Sequence, residues 1–161
     1  MGAWEVQADP SKPGNKLMRQ VSPVWPACWG YACTGPMTYF GPKHFNETGA
    51  NGFTITLDVK LEKDAVFSIG GSTGKASFAG VRLDSKNGTY TLGSESGPVL
   101  FAAGAFHKVA VTLKAGSMTA TLDGKALGAA TKHKGLVGGF FVEMSLDRYV
   151  FADVDNFMLR V

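Results

Sequence analysis

Nowhere in these 161 residues do lysine and arginine cluster. Charged residues make up 18% of the chain and the formal net charge is only +3. The basic stripe that phosphate recognition needs is missing, so nucleic acid is not expected as a partner. The densest local group, Lys132-His133-Lys134, reads as a solvated turn. No apolar run approaches the ~20 residues of a membrane-spanning helix, so no transmembrane segment is expected. The opening MGAWEVQADP has neither the charged start nor the apolar stretch of a signal peptide. Helical periodicity is absent too: glycine and β-branched residues interrupt every window longer than about ten residues.

Cysteine is scarce. Cys28 and Cys33 both fall in CWGYAC, which also carries Trp29 and Tyr31. Two cysteines cannot complete a tetrahedral zinc site, and the nearest histidine, His44, sits on a separate segment. The spacing also exceeds the Cys-x-x-Cys of redox centres. A disulfide closing a tight loop, or two free thiols, remains, and compartment decides between them. Two sequons, NET at Asn46 and NGT at Asn87, are glycan acceptors if the chain follows a secretory route. Asn87-Gly88 is equally the dipeptide of a two-residue hairpin turn. The even cysteine count and the sequons together point to an oxidising compartment, secreted or in the lysosomal or endomembrane lumen. There a Cys28–Cys33 bridge is expected, with Gly30 permitting the turn.

What is present is alternation. In FTITLDVKL, Phe53, Ile55, Leu57, Val59 and Leu61 point one way and Thr54, Thr56, Asp58 and Lys60 the other. The pattern recurs in VAVTLKA, in MTATLDGKAL with Asp123-Gly124 as a hairpin turn, and in GTYTLGS. VGGFFVEM, RYVFADV and DNFMLRV add strands near the end, and AWEVQ pairs with KLMRQV around DPSKPGN. About a dozen short strands with regular turn signals imply an all-β domain of two packed antiparallel sheets spanning residues 1–161. Ser22 to Asn51, with Pro23, Pro26, Pro36 and Pro42, is the longest irregular excursion.

Several motifs, in order, carry a resemblance. GAWEVQ, NKLMRQV, PVW and PMTYFG leading into FTITLDVKLE, then AVFSIGG, NGTYTLG, FHKVAVTLKAGSMTATLDGKAL and FADVDNFMLRV, resemble the lectin-like domain at the C-terminus of galactocerebrosidase-type glycoside hydrolases. The resemblance covers essentially the whole chain. It implies a concanavalin-like jelly-roll sandwich that accompanies a catalytic barrel, helps frame a galactosyl-lipid substrate site, and hydrolyses nothing alone. A barrel takes about 250 residues, more than this chain has.

The acidic pair Asp58 and Glu62 lies on one face of one strand and reads as a solvated polar face rather than a glycosidase pair. Four residues of strand separate them by roughly 13 Å, beyond the about 6.5–9.5 Å of inverting glycosidases. His44, His107 and His133 have no sequence-local partners that single out a catalytic triad. By the resemblance, Asp155 in VDNF sits where related sandwiches hold a structural calcium, with Glu5 and Asp153 as weaker additional ligands. Calcium takes six to eight oxygens, so one carboxylate is a fragment of a site. Sugar recognition combines an aromatic platform with a few polar groups. Trp25, Trp29, Tyr31 and Tyr39, with Arg82 on a later strand, are the candidates. A carbohydrate or glycolipid is therefore the expected ligand and a catalytic glycosidase domain an expected partner, whether the chain is such an enzyme's accessory domain or a stand-alone relative. The alternative is a structural domain that packs on a catalytic partner and binds no sugar.

Overall fold

The computed structural model describes residues 3–22, 37–45, 52–72, 78–133, 140–147 and 151–160. Among them there are fourteen strands and no helix. The early strands are β1 (Ala3–Ala8), β2 (Lys16–Ser22), β3 (Met37–Phe45), β4 (Phe53–Leu61) and β5 (Val66–Ser72). Next come β6 (Phe78–Asp84), β7 (Thr89–Leu92), β8 (Glu95–Pro98), β9 (Phe106–Lys114) and β10 (Ser117–Leu122). The last are β11 (Lys125–Ala126), β12 (Thr131–Lys132), β13 (Phe140–Asp147) and β14 (Ala152–Arg160). One sheet runs β1-β2-β14-β4-β9-β10-β11, with β12 on the other half of β10, and the second runs β3-β13-β5-β6-β7-β8.

Every pairing is antiparallel. The late strands enter the middle of each sheet: β13 lies between β3 and β5, and β14 between β2 and β4. That interleaving makes the chain an all-β, two-sheet antiparallel sandwich of the jelly-roll kind.

Alternation sets the two faces of β4. Phe53, Ile55, Leu57, Val59 and Leu61 are at most 2% exposed, while the residues between them are half-buried. Val109, Val111 and Leu113 of β9 do the same beside them, and Phe67, Ile69, Val81, Leu83, Met144 and Leu146 face them from the other sheet. Each such side chain contributes about 1.5–3 kcal/mol by leaving water. Core packing therefore fixes which residues of each strand remain outside.

The turns answer the sequence unevenly. Asp123 and Gly124 both take positive φ, 51° and 78°, and close a two-residue hairpin between Leu122 and Lys125, as their dipeptide predicts. Ala115 and Gly116 do the same, at 48° and 75°, between β9 and β10. Asn87-Gly88 does not make a two-residue turn. Asp84 pairs with Thr89 across the four-residue loop Ser85–Gly88. The Asp84 carboxylate holds that loop by accepting from the N–H groups of Lys86 and Asn87 and from Asn87 Nδ2. RYVFADV and DNFMLRV are likewise not two strands: residues 152–160 form one strand, β14, interrupted by a bulge. Asp155 faces Asp58 and Met158 faces Thr56, so β14 carries one extra residue there. Asn156, at φ 50°, absorbs it, a conformation asparagine tolerates better than most residues.

Candidate functional site

On the outer face of the eight-stranded sheet, register lines up Glu5, Arg19, Asp153, Lys60 and Phe106 across β1, β2, β14, β4 and β9. Ala152 and Val154 turn into the core, so Asp153 turns outward, yet it is only 3% exposed. Two cations cover it. Arg19 donates from Nε to Oδ1 at 2.5 Å and from Nη2 to Oδ2 at 2.7 Å, and Lys60 Nζ reaches Oδ2 at 2.6 Å. Burial works to raise the Asp153 carboxyl, but the hydrogen bonds from Arg19 and Lys60 outweigh it and hold the group below its ordinary value. Lys60 also lies 5.2 Å from the centre of the Phe106 ring.

Beside this triad opens a cleft of about 470 Å³, walled by Arg19, Lys60, Glu62, Gly104, Phe151 and Asp153. Phe151 is 41% exposed and is pinned by Glu62, whose Oε2 accepts the Phe151 N–H and whose own N–H donates to the Phe151 carbonyl.

One row further along the same face, Asp155 joins a second cluster. Asn15 Nδ2 donates to Asp155 Oδ2 at 2.8 Å and to Asp9 Oδ2 at 3.1 Å. Asp9 Oδ1 also accepts from Ser11 Oγ and N. The Ser11 hydroxyl and the Asn15 amide push the Asp9 carboxyl down to about 2. Asn156 closes the row, donating from N to Asp155 and from Nδ2 to Asp58 Oδ2 at 2.6 Å.

The three carboxylates nominated for calcium therefore fall in different surroundings. Asp155 shares Asn15 with Asp9, Asp153 is held by two cations, and Glu5 is exposed on β1, contacting Gln7. The Asn15 amide sits between two carboxylate oxygens, the position a cation takes among hard oxygen donors. Asp9 and Asp155 are the two carboxylates that the Asn15 amide brings together, and calcium would need at least four further oxygens. No group of three or more His, Cys, Asp or Glu residues is arranged to hold a metal among the described residues.

At the end of the sandwich, His107 Nδ1 lies 2.7 Å from Asp123 Oδ2, and its Nε2 lies 3.1 Å from the N–H nitrogen of Ala102. Both ring nitrogens are engaged. The pair tethers the loop after β8 over a groove lined by Val99, Leu100, Phe101, Leu122 and Leu127.

The outer face of the six-stranded sheet has a different chemistry. Register aligns Ser145, Ser68, Arg82, Thr91 and Ser96 in one row. The next row is Tyr39, Glu143, Gly70 and Gly80. Tyr39 and Arg82 are thus brought onto adjacent rows of one sheet. Ser68 and Ser145 are 8% and 4% exposed although they point away from the core, so the small side chains sit sunk below their surroundings. Gly70 and Gly80 add no side chains to this row, and both are buried, Gly80 beneath the Phe78 ring. A Cβ at Gly70 would stand 2.6 Å from Gly80 Cα, and one at Gly80 would stand 2.7 Å from Phe78 Cζ. Phe78, 38% exposed, therefore leans over Gly80, with Arg82 two residues beyond on the same face.

Trp25, Trp29, Tyr31, Cys28, Cys33 and Asn46 lie outside the described residues. Asn87 is exposed in its loop with Nδ2 2.8 Å from Asp84 Oδ2. Sequence reasoning missed Asp9, Asn15, Arg19, Lys60, Phe78 and Phe151. DPSKPGN was read only as turn residues, although an aspartate opening such a turn is a side-chain acceptor by habit.

Solved structures share this architecture. The carbohydrate-binding module CBM66 of Bacillus subtilis superposes with a TM-score of 0.66 at 10% identity, over 100% of this chain and 92% of that one. The alginate lyase AlgAT5 of polysaccharide lyase family 7 gives 0.69 at 10% identity, over 96% and 81%. Xenopus laevis galectin-Ib gives 0.54 at 14% identity, over 76% and 100%. At these identities the likeness is one of fold: a two-sheet antiparallel jelly roll. No protein-family model and no curated protein sequence matches the chain.

Proposed function

We propose that this chain is a non-catalytic carbohydrate-recognition domain whose ligand face is the outer surface of the six-stranded sheet. The observation that carries the reading is the strip Phe78–Gly80–Arg82. An exposed aromatic and an exposed arginine stand on one face of β6, with the exposed hydroxyls of Thr91 and Ser96 in the same row as Arg82. A sugar ring needs an apolar surface for its C–H face, donors and acceptors for its hydroxyls, and room to approach closely. Phe78 supplies the apolar surface, and Arg82, Thr91 and Ser96 supply the polar groups. The carbohydrate-binding module and the galectin among the similar folds support the same class. Trp25, Trp29, Tyr31 and Tyr39 are proposed to complete the platform.

The motif resemblance extends the proposal to a domain accessory to a galactocerebrosidase-type glycoside hydrolase. A sialidase in which this fold accounts for 17% of the chain offers a parallel for such an arrangement. Glycan-array binding tests the reading: Phe78→Ala and Arg82→Ala should each lower affinity at least tenfold while the melting temperature is kept. A silent array at high protein concentration favours the domain that only packs on a catalytic partner. Turnover of a chromogenic galactoside by the chain alone would overturn the non-catalytic assignment.

A secretory or lysosomal setting is part of this proposal, with Asn46 and Asn87 glycosylated and Cys28 bridged to Cys33. Two alkylatable thiols, found by mass measurement under denaturing, non-reducing conditions, would remove the bridge. Calcium is proposed at Asp9, Asn15 and Asp155, where it would tie the β1–β2 turn to β14.

A further inference from the structure

The cleft beside Asp153 lies on the sheet opposite the strip just described, and its chemistry differs. Asp153 accepts from Nε and Nη2 of Arg19 and from Lys60. Its acceptor capacity is nearly consumed and the side chain is 4% exposed. The two cations are not consumed: Arg19 and Lys60 keep 32% and 31% of their side-chain surface. Arg19 retains Nη1 and the outer N–H of Nη2, and Lys60 retains two of an ammonium's three donors. Glu62 and Asp9 also lie within coulombic reach of Arg19, so what this wall offers a ligand is its spare donors. The same cleft is lined by an exposed aromatic, Phe151, whose backbone is held by two hydrogen bonds to Glu62. The Gly104 N–H, donating to the Leu61 carbonyl, fixes the loop that completes the cleft.

A neutral hydroxyl would satisfy these donors, but a carboxylate accepts from both cations through charge-assisted hydrogen bonds, which are about twice as strong as neutral ones. The cleft, at about 470 Å³, is of a size that takes a small ligand. We propose that it is a second saccharide subsite that takes an acidic sugar, a hexuronate, with its carboxylate on Arg19 and Lys60 and its C–H face on Phe151. Two other acids bear on it. Glu62 stands on the rim and opposes the ligand's charge, while Glu5, exposed on β1, lies in register beyond Arg19.

The test is titration of the whole chain, labelled with ¹⁵N, against an oligogalacturonide and against the same oligomer as its methyl ester. The ester keeps the shape and removes the charge. Acetate at matched concentration serves as the simple-anion arm. The expected result is at least tenfold tighter binding of the acid than of the ester or of acetate, weakening with salt, with amide shifts centred on Gly104, Phe151 and Asp153. Lys60→Gln and Phe151→Ala should each remove most of that preference. Glu62→Gln, which keeps an oxygen for the Phe151 N–H, should instead raise affinity for the acid several-fold, a gain that misfolding cannot mimic.

Equal binding of acid and ester, acetate competing on equal terms, no binding at millimolar ligand, or indifference to Glu62→Gln would each overturn the proposal. So would shifts centred on Gly70, Gly80 and Arg82, which would place the acid on the other sheet. Because neutral sugars are read at those latter amides, failure of the six-stranded face and failure of this cleft are distinguishable.

Discussion

Arg19 and Asp153, 134 positions apart, face each other on adjacent strands and join through two parallel hydrogen bonds, with Lys60 completing the pair from the other side. The carboxylate is buried and the cations are not. Removing Asp153 therefore leaves two like charges side by side but still in reach of water. Asp153→Ala should lower stability by about 3 kcal/mol, the low end for breaking a buried pair. Arg19→Met, which leaves Lys60 on the carboxylate, should cost less. Equal and small losses in urea titrations of both variants would show that the triad is a surface pair of little weight.

Acid should weaken the fold through Asp9 in a definable window. Its carboxyl sits at about 2 in the folded chain against an ordinary 3.8, chiefly because the Ser11 hydroxyl and the Asn15 amide favour the charged form. A depressed folded value means the contribution is fully present above pH 4 and is lost as pH falls toward 2. Asp9→Asn should therefore flatten the decline in urea midpoint between pH 4 and pH 2 relative to the parent protein. An unchanged slope would show that Asp9 is not held this way in solution.

Calcium, if it sits between Asp9 and Asp155, binds the folded chain alone. At a free concentration a hundredfold above its Kd it should add about 2.7 kcal/mol. The melting temperature should then fall on chelation, and the difference should disappear in Asp155→Ala and in Asp9→Asn. Asp153→Asn, whose carboxylate belongs to the cationic triad, should keep it. Melting that ignores chelator in the parent protein would remove calcium from this cluster.

The strands were legible because burying one face of a sheet imposes a period of two, and β4 shows that period over all of its nine residues. β14 misled for a local reason: the bulge at Asn156 shifts the alternation by one residue, so one strand reads as two. The DNF triplet gains a physical account from the same place, since asparagine tolerates the positive φ and its amide reaches Asp58. The sites were less legible. Arg19, Asp153 and Lys60 meet only because β14 inserts between β2 and β4, and that topology is a long-range property no local window contains. Phe78, Gly80 and Arg82 were closer to reach. They lie two apart on one strand, and a bare glycine between an aromatic and an arginine was the available signal.

The turn between β9 and β10 offers a stabilising change. Ala115 holds φ 48°, where its Cβ crowds the backbone at roughly 1–2 kcal/mol relative to ordinary conformations. Asparagine accepts this region and makes Asn-Gly with Gly116, the favoured pair for such a turn. Ala115→Asn should raise the melting temperature by roughly 2 °C or more, given that 1 kcal/mol is worth about 2–4 °C in a domain near this size. Ala115→Val, branched at Cβ, should lower it. The same melting temperature in both variants would mean the turn relaxes out of positive φ.

Gly70 and Gly80 lie opposite each other on β5 and β6, and their backbones leave no room for a methyl group. The atoms in the way are main chain: an added Cβ at either position would stand 2.6 Å from the Cα of the other. Main chain in the middle of a sheet does not yield as a side-chain tip does, so relief requires shifting a strand. Gly70→Ala should therefore destabilise by about 1–3 kcal/mol, the usual range for overpacking. Gly80→Ala should do so as well and should also displace the Phe78 ring, whose Cζ lies 2.7 Å from the added carbon. If the Phe78 ring is the platform a sugar stacks on, Gly80→Ala, which displaces it, should lose glycan binding even at temperatures where it is fully folded. Phe78→Leu, which keeps an apolar side chain at this position, should retain part of it. Binding at parental affinity by a folded Gly80→Ala would move the ligand off this strip.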